Sequence, residues 1–251
     1  MDKIGITKTA AAAFLVCGLT SMAVAAPDYD QTFLSDYSKL QATPLPNNAG
    51  TDLLYVPPGV FERIAKYNAI MVDEPEVLIS ATSDYKGAKP TDLEAVATLV
   101  RTDVSDAMKA GGYGVVDAAG PSVLYLKIAV TDLSLQKKKR RLLAYTPIGF
   151  VVNAGVKALQ DMMQKYDIMG AAIQAQISDS TSNEVLAELV ALRGNNGKRM
   201  DFDEFDKDIK SFASRLRCRL DNAHVPAAQQ IDCLDPAARQ TREASKAAVT
   251  H

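Results

Sequence analysis

From residue 170 to residue 193 apolar and polar positions alternate with few breaks. Ala171, Ile173, Ala175 and Ile177 take turns with Ala172, Gln174, Gln176 and Ser178. That period of two is the signature of a strand with one dry face. Asp179, Ser180, Thr181, Ser182 and Asn183 follow, residues whose side chains bond nearby backbone and favour turns. Val185, Ala187, Leu189 and Ala191 resume the alternation. The stretch predicts a β-hairpin inside a sheet, with Ile173, Ile177, Val185 and Leu189 in the core.

Elsewhere the period changes. Leu93, Val96, Ala97, Val100, Val104, Ala107 and Met108 follow helical spacing. Thr91 with Glu94 reads as a capping box ahead of them, and Gly111 and Gly112 as the stop. A second helix is predicted behind an Asp201 and Glu204 cap, with Phe202, Phe205, Ile209, Phe212, Ala213, Leu216 and Leu220 on its dry side. Ile70, Met71, Val72, Val77, Leu78 and Ile79 read as one strand-like run, with Pro75 demanding an edge or a bulge. Val115 and Val116 make a short strand. Leu124, Leu126, Ile128 and Val130 make a longer one.

Both helices are amphipathic on a single stripe, so both cover one face of the sheet. The expected fold class is therefore α/β (α+β): one mixed sheet of about five strands with two helices on one face. The order of segments is a signal peptide at 1–25, an extended lead-in at 26–60, a domain at 61–225 with an insert at 134–166, and a tail at 226–251, partly disordered beyond Cys233. The lead-in is rich in turn formers and is anchored by Phe33, Leu34, Tyr37, Leu54, Tyr55 and Val56.

Composition bears on location. Lys3 and Lys8, an apolar run from residue 10, and Ala23, Val24 and Ala25 before Ala26 and Pro27 have the order of a secretory signal cleaved after Ala25. The expected product is exported to the periplasm, with membrane association left open. Val16 stands before Cys17, where a lipobox needs a small residue. Cleavage removes Cys17 and leaves Cys218 and Cys233, an even pair in an oxidising compartment. A bridge between them is expected, worth about 3 kcal/mol on the chain-entropy account. The formal charge of −2 argues against a nucleic-acid partner.

Candidate chemistry is sparse. His224 and His251 are the two histidines of 251 residues, too few for a multi-histidine metal site and poorly placed for a triad. The pairs Ser35 and Asp36, Ser83 and Asp84, and Ser178 and Asp179 fit turns and caps better than nucleophiles. Gly111, Gly112 and Gly114 follow a helix instead of opening one, unlike a phosphate-binding loop. Asp201, Asp203, Asp206 and Asp208 lack the turn glycine of a calcium loop and suit a helix N-terminus. No catalytic, metal or cofactor residue is assigned. The exception to this plainness is Lys137, Lys138, Lys139, Arg140 and Arg141, five consecutive cations beside Leu142, Leu143, Ile148 and Phe150. Such a pair of stretches suits anionic lipid or an apolar partner surface, or else a solvated loop followed by a packed helix.

Several motifs together resemble a known family. These are Phe33, Leu34, Ser35, Asp36, Tyr37 and Ser38 with Leu40; Leu54, Tyr55, Val56, Pro57, Pro58 and Gly59; Ser83, Asp84 and Tyr85; and Ser178, Asp179 and Ser180 through Glu184, Val185, Leu186 and Ala187. They resemble an uncharacterised bacterial envelope family, often lipoproteins, catalogued as domain of unknown function thirty-three-thirteen. The resemblance implies an envelope location and no established activity. The family often has the lipobox missing here, and a turn glycine where this chain has Asn183. The element order is also similar to that of the curli secretion lipoprotein, lipoprotein activators of penicillin-binding proteins and the N-terminal domain of the Tol propeller protein, a fold-level analogy only. The leading expectation is a non-enzymatic envelope module that binds a protein partner or an anionic membrane surface, without cofactor. The alternatives are an envelope enzyme with a carboxylate or tyrosine site and a carrier of a small apolar ligand.

Overall fold

The computed structural model describes residues 29–138, 165–193 and 199–249. Its centre is one mixed sheet of eight strands: β1 (Gln41–Pro44), β2 (Gly50–Tyr55), β3 (Ala69–Val72), β4 (Glu76–Ile79), β5 (Gly114–Val115), β6 (Val123–Lys137), β7 (Tyr166–Asp179) and β8 (Val185–Arg193). They run in the order β1-β2-β8-β7-β6-β3-β5, with β4 also on β6. Pairs among β3, β4, β5 and β6 are parallel and the rest antiparallel. Four α-helices are described: α1 (Val60–Ile64), α2 (Pro90–Ala110), α3 (Phe202–Ala223) and α4 (Pro236–Val249).

The hairpin lies at the middle of this sheet, as its alternation requires. Ile173, Ile177 and Leu189 are buried and Val185 is half-buried. At the turn, the Asp179 carboxylate accepts the backbone N–H groups of Thr181 and Ser182 at 2.9 and 2.7 Å. Those donors hold it below the usual carboxylate range. Asn183 takes the positive φ (58°) for which glycine is the default.

The helices cover one face of the sheet. On α2, Val96, Val100, Val104 and Met108 are fully buried at four-residue spacing. On α3, Phe205, Ile209, Phe212, Leu216 and Leu220 face the same core. Asp201 and Glu204 make the expected capping box. Helix α2 starts two residues earlier than expected, because Pro90 occupies its first position, where a missing N–H is harmless. Asp92, not Glu94, then accepts the Lys89 N–H at 3.1 Å.

The expectation of about five strands and two helices is corrected to eight strands and four helices among the described residues. Part of the difference is the lead-in, where β1 and β2 join the sheet through pairing of β2 with β8. Turn formers masked these strands, since Pro46, Asn47 and Asn48 only link them. The run at 69–79 is two strands divided at Pro75, docked one after the other along the length of β6. Of the extra helices, α1 follows the Pro57 and Pro58 turn and α4 lies in the tail. Cys218 and Cys233 are joined, with Cα atoms 5.6 Å apart.

The opposite face of the sheet is not wet where the lead-in crosses it. Leu34, Leu53 and Val190 are buried there, with Tyr29, Phe33, Tyr37, Leu40 and Leu192 packed around them. Gln174 is completely buried in this layer. Its Nε2 donates to the Asp30 carbonyl (2.7 Å) and to Thr131 Oγ1 (3.0 Å), and its Oε1 accepts from the Tyr37 hydroxyl at 2.6 Å. The same hydroxyl accepts the N–H groups of Phe33 and Leu34. The conspicuous motif at residues 33–38 is thus a strap, latched to the sheet by Tyr37 on Gln174 and, at 3.5 Å, by Ser35 on Glu188.

Candidate functional site

The chain forms an apolar cleft where α1, the sheet and α3 meet. Gly59, at φ 72°, turns the backbone after two prolines into α1, a conformation that side chains with a Cβ disfavour. Val60 and Ile64 of α1 then face inward. Leu54, Ala175, Ile177, Ala187 and Leu189 form the floor, and Leu216 and Leu220 of α3 the far wall. The volume is about 220 Å³. Val56 and Phe61 also line it, and they are the large hydrophobic side chains left exposed among the described residues. Two exposed apolar groups beside an apolar cleft are the kind of surface at which apolar groups dock in proteins generally.

One cationic side chain, Arg219, lines this cleft. It belongs to a buried cluster on α3. Asp52, fully buried on β2, accepts from Arg215 Nε and Nη2 at 3.0 Å each and also from Arg219 Nη2. Arg215 Nη1 donates further to Ser211. Arg219 Nη1 has no hydrogen-bond partner. Burial holds Arg219 below the usual guanidinium range while Asp52 opposes the shift. Glu188, also at the cleft, turns its carboxylate elsewhere: Oε1 accepts from Gln176 at 3.0 Å and from Ser35 at 3.5 Å.

The basic stretch singled out in the sequence stands apart from this cleft in the contacts of its first two members. Lys137 ends β6, with Nζ 5.8 Å from the centroid of the Tyr85 ring. Lys138 follows, 3.5 Å from Asp167. Lys139, Arg140, Arg141, Leu142, Leu143, Ile148 and Phe150 lie outside the described residues. The serine–aspartate pairs take local roles: Asp36 caps a short 3-10 turn, Ser83 bonds Leu135 backbone, and Asp179 organises the hairpin turn. His224 caps the end of α3 and packs edge-on against Tyr113.

Sequence reasoning named Leu54 and Val56 only as anchors and missed Phe61 and Arg219. The available signals were Phe61 just after Pro-Pro-Gly, and Arg215 with Arg219 four residues apart beside the apolar stripe of α3. Among the described residues, no group of three or more His, Cys, Asp or Glu side chains could hold a metal ion. No described helix is long and apolar enough to cross a membrane.

Residues 29–216 match the model of a family described as "Protein of unknown function (DUF3313)". The chain belongs to that family. It is an exported protein of the bacterial cell envelope, of uncharacterised activity. The family match spans the strap, the sheet and the cleft walls up to Leu216, and stops before Arg219, Cys218 and α4. No curated protein matches the chain. Among solved structures it is similar to PelC dodecamers from Paraburkholderia phytofirmans in two crystal forms, one of them of a leucine-to-methionine variant. Identity is 11%, with 68% of this chain and 97% of that chain covered, at TM-scores of 0.36 and 0.35. Likeness at that level carries no argument about assembly or activity.

Proposed function

We propose that this envelope protein is a binding module that works by receiving an apolar group in the cleft between α1 and α3. The observation that carries this is the dry cleft with Val56 and Phe61 exposed at it. Leaving such groups in water costs about 25 cal/mol per Å² of apolar surface, which a bound apolar group recovers. The buried carboxylates support binding over catalysis, because each has a structural partner. Asp52 holds two arginines, Asp92 caps α2, Glu188 ties the strap and Asp221 meets Lys246 at 2.9 Å.

The test uses a neutral dye that brightens in apolar surroundings, such as N-phenyl-1-naphthylamine, with the mature protein. Fluorescence should rise with wild type and stay at the buffer level with Ala187→Phe, whose ring fills the cleft. Far-UV circular dichroism checks that the variant keeps its fold. Equal brightening by both proteins would reject the cleft as the site.

A second contact is proposed for the stretch at 137–141, supported by its run of five cations and the placement of Lys137 and Lys138 at the end of the long β6/β7 pair. Each basic residue near an anionic leaflet is worth about 1 kcal/mol. Changing all five to Gln should abolish flotation with anionic liposomes at low salt. Failure of wild type to float would remove lipid as the partner.

A further inference from the structure

The cleft is lined by apolar side chains and two charged ones, Arg219 and Glu188, and the Glu188 carboxylate is bonded to Gln176 and Ser35 instead. Arg215 and Arg219 share a single carboxylate, Asp52. This leaves one positive charge more than its hydrogen-bonded partners neutralise. Asp232 also acts on Arg219 electrostatically, but it is exposed and its own Oδ1 accepts the Leu234 N–H. Nη1 of Arg219 is buried without an acceptor. An unsatisfied donor in such surroundings is unfavourable, and an ionised acceptor is the partner that relieves it most. The Arg219 side chain lines the cleft and keeps 18% of its surface open, while Nη1 itself is closed off, so the anionic end of a guest meets it once the guanidinium turns toward the cleft.

Size narrows the guest further. An engineered apolar cavity of about 150 Å³ holds benzene, six carbons. The 220 Å³ here scales to a chain of roughly eight or nine carbons. From these two observations, and on the reading that the cleft receives an apolar group, we infer that the ligand is a medium-chain fatty acid. Its chain lies against Leu54, Ile177, Leu189 and Leu216, and its carboxylate meets the Arg219 guanidinium. A carboxylate suits this place because it is flat and small, and guanidinium already binds one in the same cluster through Asp52. A neutral chain would fill the same volume but leave Nη1 as it is.

Displacement of the neutral dye by octanoate and by octanol tests this. Octanoate should displace it from wild type at a concentration at least tenfold lower than octanol. Arg219→Gln should still bind the dye, should lose at least tenfold in octanoate affinity, and should hold octanol within twofold of wild type. Arg219→Lys keeps the charge and should recover part of the octanoate affinity. If wild type does not bind the dye at all, the cleft reading itself fails. If it binds the dye but octanoate and octanol compete equally, the cleft stands and the anionic ligand is overturned. Unchanged octanoate affinity in Arg219→Gln would overturn it too. Should that variant fail to fold, the octanoate-to-octanol ratio on wild type decides alone.

Discussion

Strand β7 is buried on both sides, by different means. Ile173, Ala175 and Ile177 belong to the large core beneath α2 and α3. Gln174, one residue from Ile173, is just as fully enclosed beneath the strap of residues 29–40. Beneath β7 the helical side relies on non-directional burial spread over many side chains, while the directed bonds of Asp52 to Arg215 and Arg219 lie two strands away, at β2. The strap side relies on a few directed bonds converging on Gln174, and each bond there has no substitute. A stable face and a specific face thus share one strand. The first should respond to loss of volume, and the second to loss of a single donor or acceptor.

The largest effect is expected on the helical side. Ile173→Ala removes a side chain only 5% exposed and should lower the unfolding free energy by about 2–5 kcal/mol in urea denaturation. A loss of a few tenths would mean that the helices collapse onto the vacated space, and the contrast between the faces would fail.

Next comes the strap. Gln174→Ala leaves the Tyr37 hydroxyl, the Asp30 carbonyl and Thr131 without their partner, an expected loss of about 1–3 kcal/mol. Where the loss appears matters more than its size. Hydrogen exchange should quicken at the Phe33 and Leu34 amides, which donate to Tyr37, while the α2 amides keep their protection. A double-mutant cycle with Tyr37→Phe should show a coupling of about 0.5–3 kcal/mol. Uniform quickening across α2 would show that the two faces are one cooperative unit.

The same contrast explains what could be read from the sequence. Faces held by burial leave periodic traces, so the hairpin, α2 and α3 were legible, as were the Asp201 cap and the pairing of Cys218 with Cys233. Directed contacts between segments far apart in the chain leave none. Nothing about Gln174 or Gln176 announced a covered face, because glutamine at alternate strand positions normally marks the wet side. Strands β1 and β2 were hidden because they have four and six residues, turn formers dominate the local pattern, and β2 joins the sheet through β8, more than a hundred residues away. The cleft was hidden for a related reason. Its walls come from β2, α1, the hairpin and α3, and only the fold brings Phe61 and Arg219 together. The motif at residues 33–38 was conspicuous, yet its role is structural: it is the latch.

The smallest effect probes a polar flaw on the helical side. Asp103 of α2 lies near Asp206 and Lys210 of α3, and its Oδ2 has no hydrogen-bond partner. Partial burial, with the carboxylates of Asp206 and Asp106 adding to it against Lys210, pushes its carboxyl up to about 6. In the unfolded chain the same group releases its proton near 3.9. Between these values the folded state binds the extra proton, so stability is full below about pH 4 and falls as pH rises to about 6. Asp103 is only half-buried, and solvent screens the effect to about 1 kcal/mol. Carboxylates such as Asp36 and Asp179, held below their usual range, push stability the other way as pH rises. The measurement is therefore a difference. Asp103→Asn mimics the protonated form and should match wild type at pH 4, then exceed it by about 1 kcal/mol at pH 7. A difference that does not change with pH would mean that Lys210 keeps Asp103 ionised throughout, and that the helical face tolerates a charge as readily as the strap face tolerates its amides.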